Sequence, residues 1–412
     1  MIAESKQDQP LRIMFIVTVP MAFHFLKGHL EHLAAQGFDI HLVSSPGEQL
    51  DQFARTAPVE VHAVPISRTI SPLQDLSTLW QLWSLMREVQ PDIVHSYTPK
   101  AALLGTIAAR LSQIAVVAIS LFGLPQMARR GVMRWLLDAT TRLSCWLADW
   151  VWTDSPSLRD YVLQQRLCSP AKLNVLHHGS VNGVDTLNNF SPERFSSAEL
   201  AAARRRYDIP AGSEVLGFVG RLCRDKGINE LLIAWQTLRE IFPDLQLLLV
   251  GPREEGLTAE SMELLQTDPR IKFAGMTREV ALHLSLMDVF VNPSYREGFG
   301  VANLEAGAMA LPVVSTRIPG CVDSVCDGVT GTLVPTRDPA ALIAAITEYL
   351  TNRNLAQQHG QAGRLRAQED FAPSALWSAL ERQYRTLLAQ TNRSLESSVS
   401  PSLNATSAHV GD

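Results

Sequence analysis

The chain has 412 residues, of which 46% are hydrophobic and 19% charged, and a formal net charge of −5. That length exceeds one ordinary hydrophobic core and predicts two domains, while the composition excludes disordered and fibrous classes. The mild acidity offers no global attraction to nucleic acid, which normally shows as a basic domain or stripe, so an anionic ligand has to be held locally.

Residues 1–10 are polar and predict a disordered N-terminus. The apolar run that follows is too short for a signal peptide and reads as a first strand, Ile13 to Val19, which puts the expected location in the cytoplasm. No stretch reaches the roughly 18 to 20 apolar residues of a spanning helix, so any membrane contact would be peripheral. A helix is predicted near Phe23 to Ala35, then strands at Asp39 to Val43, Ile93 to His95 and Val116 to Ile119. Strands alternating with helical segments imply a parallel sheet covered by helices. Pro99 suits the first turn of a helix, and the strand-to-helix segment Ile93 to Ala102 would turn His95 and Lys100 toward a cleft. His24, in the loop after the first strand, either faces an acceptor or is packed or solvated. Farther along, Met127 to Trp135 supplies three arginines ahead of Trp146, Trp150 and Trp152. Arginine and tryptophan suit an anionic membrane interface, although a helix packed on the sheet with a charged outer face explains the same residues more simply.

Residues 177–195 are dense in Gly, Asn, Ser and Pro and predict an interdomain hinge. The rhythm then restarts with a strand at Val215 to Gly220, a helix at Ile228 to Ile241, and strands at Leu245 to Val250, Ile271 to Ala274 and Val289 to Val291. Ligands of open α/β sheets lie beyond the carboxyl ends of the strands, so two such domains define a cleft. The expected boundaries are 11–185 for the first domain, 186–372 for the second, a helix at 373–390 returning toward the first, and a disordered tail at 391–412. The five cysteines form no CxxC or metal-spaced cluster, and they read as reduced thiols.

The densest signal is Tyr295 to Glu305, after a strand and opening a helix near Val301. Gly298 and Gly300 let backbone amides approach an anion at the helix start, where the dipole favours phosphate. Glu305 would then accept hydrogen bonds from ribose hydroxyls and Glu297 from those of a sugar. Taken alone, two carboxylates at this spacing are ordinary surface charges. Upstream, however, Gly217 to Gly227 also joins a strand to a helix and supplies Arg221 and Lys226, cations suited to a leaving diphosphate. No DxD-type metal motif stands in a strand-end loop, so no metal and no cofactor are expected.

These segments, with GFVGRLCRDKG, FAGMTREVALHLSLMDVFVNPSYREGFG and LEAGAMALPVVSTRIPGCVDSVCDGVTGTLVP, resemble the retaining group-1 glycosyltransferases of GT-B architecture, in order and spacing from about Arg12 to Leu388. The resemblance implies two Rossmann-like domains facing one cleft and a metal-independent transfer, with retention, from a nucleotide diphosphate sugar. It assigns Arg221 and Lys226 to the diphosphate and Glu297 to the donor sugar. It further gives Gly220 and the amides of Phe299, Gly300 and Val301 to the donor, Glu305 to the ribose and the main chain near Met276 to the base. The first half, with Arg68 to Asp75 and Ile93 to Ala102, resembles enzymes of bacterial surface polysaccharide and lipid-linked oligosaccharide assembly. That implies a UDP-sugar donor, a polyprenyl-diphosphate-linked acceptor and possible contact with the inner membrane surface. Two departures stand out: Ala310 replaces a usual glycine before Leu311-Pro312, and the loop Val17 to His24 lacks the paired glycines common after the first strand. The rival readings are a sugar-nucleotide epimerase and a catalytically silent donor-binding subunit.

Overall fold

The computed structural model describes residues 10–399, with side chains to 391; residues 1–9 and 400–412, in the expected disordered ends, lie outside the described residues. Among the described residues thirteen strands form two sheets, and every pairing is parallel. The first contains β1 (Leu11–Ile16), β2 (Phe38–Ser44), β3 (Glu60–Ala63), β4 (Ile93–Ser96), β5 (Val116–Leu121), β6 (Trp150–Thr153) and β7 (Leu173–Val175), in the order β3-β2-β1-β4-β5-β6-β7. The second contains β8 (Val215–Val219), β9 (Gln246–Val250), β10 (Ile271–Gly275), β11 (Val289–Asn292), β12 (Val313–Thr316) and β13 (Gly331–Val334), in the order β10-β9-β8-β11-β12-β13. Both orders reverse once, between β1 and β4 and between β8 and β11. In a doubly wound sheet that reversal opens a crevice at the carboxyl ends of the strands.

The helices of the first unit are α1 (His29–Ala35), α2 (Glu48–Thr56), α3 (Pro72–Val89), α4 (Pro99–Leu111), α5 (Gly131–Leu147) and α6 (Pro156–Gln164). Those of the second are α7 (Ser197–Arg206), α8 (Ile228–Ile241), α9 (Ala259–Thr267), α10 (Val280–Leu284), α11 (Val301–Ala308), α12 (Cys321–Ser324), α13 (Pro339–Thr351) and α14 (Arg353–Asp370), followed by α15 (Pro373–Val399). Helices cover both faces of each sheet, so the strands read as nearly continuous apolar runs; Ile13 to Ile16 are wholly buried. Local signals agree with this packing. Pro99 starts α4, Ser155 Oγ accepts from Leu158 N at α6, and Ser196 with Glu199 closes a capping box on α7.

Three differences from the sequence expectations have physical causes. The helix expected from Phe23 is broken into a 3₁₀ turn, Pro20–Leu26, and α1, because Gly28 adopts φ +81 and its Cα faces Trp377, where a Cβ would come within 2.4 Å. The tryptophans expected in one region part company, since Trp152 is core while Trp135 and Trp146 are exposed on α5. Finally, α15 runs past 390. It leaves the second unit and inserts Leu380, Tyr384, Leu387 and Leu388 into the core of the first.

Candidate active site

The loops after β8 and β11 interlock. Gly227, at φ +68, lies so close to Pro293 that a Cβ would meet its carbonyl oxygen at 2.0 Å, and Tyr295 N donates to Asp225 O at 2.9 Å. This brings Lys226 to Glu297, with Nζ 2.5 Å from Oε1. Ser294 Oγ lies 2.8 Å from the same oxygen and Asn292 Nδ2 3.5 Å from it. Behind the carboxylate, Asn292, Asn303, Ser315 and Ser324 form a buried hydrogen-bonded network. Burial pushes the Glu297 carboxyl up, but the Lys226 ammonium and hydrogen bonds from Lys226, Ser294 and Asn292 outweigh it and hold the group below the usual range. Glu297 is therefore an oriented anion and Lys226 its fixed cation.

Gly300 caps α11 at φ +77, and the first amides of α11 have no acceptor within the helix. Val301 opens that helix, while Phe299 beside it is buried against Phe371. Glu305 sits one turn in, half-buried, and its carboxylate has no hydrogen-bond or ion-pair partner among the described residues. Burial pushes that carboxyl up to about 8. Arg221 is placed differently from Lys226: it is exposed and paired with Glu254, 2.5 Å away. Gly220 directly follows β8, beside Gly251, and Met276 stands exposed just beyond β10.

Gly298 has a role not anticipated from the sequence. A Cβ there would lie 2.1 Å from Asp154 Oδ2 and 2.8 Å from Gly123 N, so the two units meet backbone to backbone. The contact is fastened by Ser155 Oγ donating to Gly298 O at 2.8 Å, and by Ser157, whose amide and hydroxyl both donate to Asp323. Asp154 is buried, and its Oδ1 has no hydrogen-bond partner among the described residues. Burial, then the negative charges of Glu297 and Asp323, raise its carboxyl well above the usual range. The sequence Thr153-Asp154-Ser155-Pro156 carries only the signal of a capped helix start, which hid the acid in front of it. Asn292, Ser294 and Asn303 were likewise missed, because nothing local marks a polar residue as part of a buried network.

In the first unit two of the three candidates are engaged by other residues of the chain. His95 does not face the cleft: it is 1% exposed, with Nδ1 2.6 Å from Tyr384 Oη and Nε2 2.8 Å from Ser120 Oγ, and its ring packs on Tyr97 and Trp152. Its strand position faces inward, beside Phe15 and Ala118 of the neighbouring strands. Burial, then His29, keep its imidazole neutral. Lys100 is drawn down by Asp75 of α3, 2.6 Å away, and by the Thr69 carbonyl. His24 remains exposed beyond β1, its ring edge-on to Phe53 and Nδ1 3.2 Å from Met21 O. Among the described residues no helix is long and apolar enough to cross a membrane.

Residues 201–366 match the glycosyl transferases group 1 family and residues 26–179 the glycosyl transferase 4-like domain. The chain is 30% identical over 382 residues to the capsular polysaccharide biosynthesis glycosyltransferase CapM of Staphylococcus aureus, covering 92% of this chain and 98% of that one. It is 27% identical over 340 residues to the Escherichia coli UDP-Gal:alpha-D-GlcNAc-diphosphoundecaprenol alpha-1,3-galactosyltransferase, covering 79% and 83%. In fold it is similar to Anabaena Alr3699/HepE in complex with UDP and glucose, with TM-score 0.76 and 18% identity over 91% of this chain and 100% of the other.

Proposed function

Because this chain belongs to the group 1 glycosyltransferases, with the two facing Rossmann-like units of the GT-B fold, we propose that it transfers a hexose or N-acetylhexosamine from a UDP-sugar to a polyprenyl-diphosphate-linked saccharide in surface polysaccharide assembly. The observation that carries this reading is the convergence of Lys226, Glu297 and the start of α11 at the β8/β11 crevice. An anion is favoured there by first-turn amides and the helix dipole. The pyrophosphate would lie between those amides and Lys226, with Arg221 swinging from Glu254 to its outer side. Glu305, carrying no partner of its own, accepts the ribose hydroxyls, and Glu297 accepts those of the sugar. The UDP held by the Anabaena neighbour and the diphosphoundecaprenol in the name of the Escherichia coli relative support donor and acceptor class.

In the proposed step the bond from the anomeric carbon to the diphosphate oxygen breaks and the acceptor oxygen bonds to that carbon on the same face. The acceptor proton passes to the departing phosphate. Lys226 and Arg221 stabilise the charge that develops on the leaving group, so the protein's contribution is positioning and electrostatic preorganisation, without a metal. The contact of Gly298 with Gly123 and Asp154 is the closed arrangement that excludes water from the donor.

The acceptor requires a lipid surface, and the first unit offers one. Leu73, Leu76 and Trp80 lie exposed at helical spacing on α3, and Val132, Trp135 and Trp146 on α5, with Arg129 and Arg130 ahead of α5. Both helices pack on α4, so these stripes share one side of the sheet. They suit the cytoplasmic face of a membrane containing anionic lipid. A panel of nucleotide-sugars with a membrane lipid extract as acceptor, read by mass spectrometry, tests the reaction. Product from a UDP-sugar that disappears when butanol-soluble lipid is withheld is the expected result; transfer to soluble sugars alone refutes the acceptor class. Flotation with anionic vesicles tests the surface, and its absence refutes the contact.

A further inference from the structure

Outside the cleft, the edge of the first sheet gathers two imidazoles and a carboxylate that the transfer reaction does not use. Residues alternate faces along a strand, so Asp39, His41 and Val43 share one side of β2. The register sets His41 against Glu60 and Val43 against His62 of β3, the edge strand. His41 Nδ1 lies 3.0 Å from His62 Nε2 and 3.7 Å from Glu60 Oε2, while His62 Nε2 lies 3.8 Å from Glu60 Oε1. Among the described residues this is the cluster whose ligand atoms all fall within 4.8 Å of one another.

We propose that His41, Glu60 and His62 bind a divalent transition ion of the zinc class, clipping the edge strand β3 to β2. At metal–nitrogen bonds of about 2.0–2.1 Å, a tetrahedral ion sets its nitrogens roughly 3.3 Å apart, a small expansion of the 3.0 Å seen between the two rings. Without an ion, one of the two facing nitrogens must carry a proton and donate it to the other. With one, both lone pairs and the carboxylate point at the same centre.

The surroundings fit this use. His41 is 4% exposed, and its Nε2 makes no hydrogen bond although Asp39 Oδ2 lies 3.4 Å away. A ring bound through Nδ1 carries its proton on Nε2, where a nearby carboxylate orients the ring and raises its basicity. On the solvent side, His62 lines an open groove of about 410 Å³ with Trp80, Gln81, Ser84 and Glu88 of α3. That groove is an entry path and a place for water as the fourth ligand. An N₂O donor set suits zinc, and cobalt is its spectroscopic substitute. The cluster lies at the β2/β3 edge, with β1 between it and β4, apart from the residues proposed for transfer.

The test uses the full chain, freed of any histidine tag and dialysed against chelator and then metal-free buffer, titrated with zinc chloride by calorimetry. One ion per chain, a rise in Tm with zinc and visible absorption of a four-coordinate cobalt form are expected. His62→Gln should lose at least about tenfold in affinity, the scale seen when groups supporting a metal ligand are altered. Glu60→Gln, at an exposed position that leaves the core intact, should weaken binding as well, and a His178→Gln control should not. Absence of binding by the parent chain, or equal zinc binding by the parent and both ligand variants, overturns the site.

Discussion

The two units share one strand order and the same kind of crevice, but they spend their polar residues in opposite ways. At the β8/β11 crevice, charged and polar side chains converge on the opening: Lys226 meets Glu297, a hydrogen-bonded network supports the pair from behind, and Glu305 keeps an unpartnered carboxylate. At the β1/β4 crevice the comparable residues turn inward. His95 anchors Tyr384 of the last helix, and Lys100 is held by Asp75. A shared topology therefore fixes where a site can be, while the loops decide whether the residues there serve chemistry or architecture. The β8/β11 side is a preorganised electrostatic site, and the β1/β4 side is shaped mainly by packing.

That contrast is open to direct attack. The largest effect is expected from Lys226→Ala and Glu297→Gln, each lowering kcat for transfer by about 10²–10³, the scale of losing one preorganised electrostatic contact to a transition state. Lys100→Ala, its counterpart across the cleft, should change kcat less than about tenfold, because its charge is already engaged by Asp75. Initial rates with the donor found in the panel decide the matter, and similar losses for Lys226→Ala and Lys100→Ala would erase the distinction between the two sides. Next comes Gly298→Ala. Its Cβ has no room against Asp154 and Gly123, so the units must part, and a displacement near 1 Å can cost about 10²-fold. Small-angle scattering should show a larger radius of gyration, with each unit still folded by circular dichroism.

A smaller effect, on stability, is expected on the other side. Tyr384→Phe leaves the buried Nδ1 of His95 without its partner, which costs about 1–3 kcal/mol. Urea unfolding should register that loss while kcat of the folded fraction stays close to that of the parent. A large fall in kcat without loss of stability would return His95 to the active site.

How far the sequence carried follows the same division. Eight strands were legible because buried parallel strands are apolar along most of their length, whereas β3, β6, β7, β12 and β13, each of three or four residues, were not; the helix Ile228–Ile241 was legible because its buried positions recur at helical spacing. Lys226 and Glu297 could be placed because each sits in a strand-to-helix loop whose glycines leave few conformations, and Glu305 because it lies one turn into the helix that the second loop opens. His95 could not, since the partner that claims it lies 289 residues away on α15. Asp154 was masked by the capping signal around it, and Gly298 has a reason, the approach of Gly123, that exists only once the two units meet.

The subtlest expected effect concerns Glu305. Burial raises its carboxyl to about 8 in the folded chain from an ordinary 4.5. Such a group favours the folded state fully below about 4.5, and that contribution is lost as pH rises toward 8, because ionisation then costs more in the folded chain than in the unfolded one. An amide at the same position has no charge to develop. Glu305→Gln should therefore melt within about a degree of the parent at about pH 4, where the carboxyl is neutral in the folded chain and largely so in the unfolded one, and a few degrees above it at about pH 8.5, where the parent is strained by a buried anion. UDP should narrow that gap in the parent, since ribose hydroxyls that donate to the carboxylate stabilise its charged form. If the two chains melt alike at pH 8.5, the carboxyl is already solvated or paired, and the partner-free acceptor assigned to the ribose does not exist.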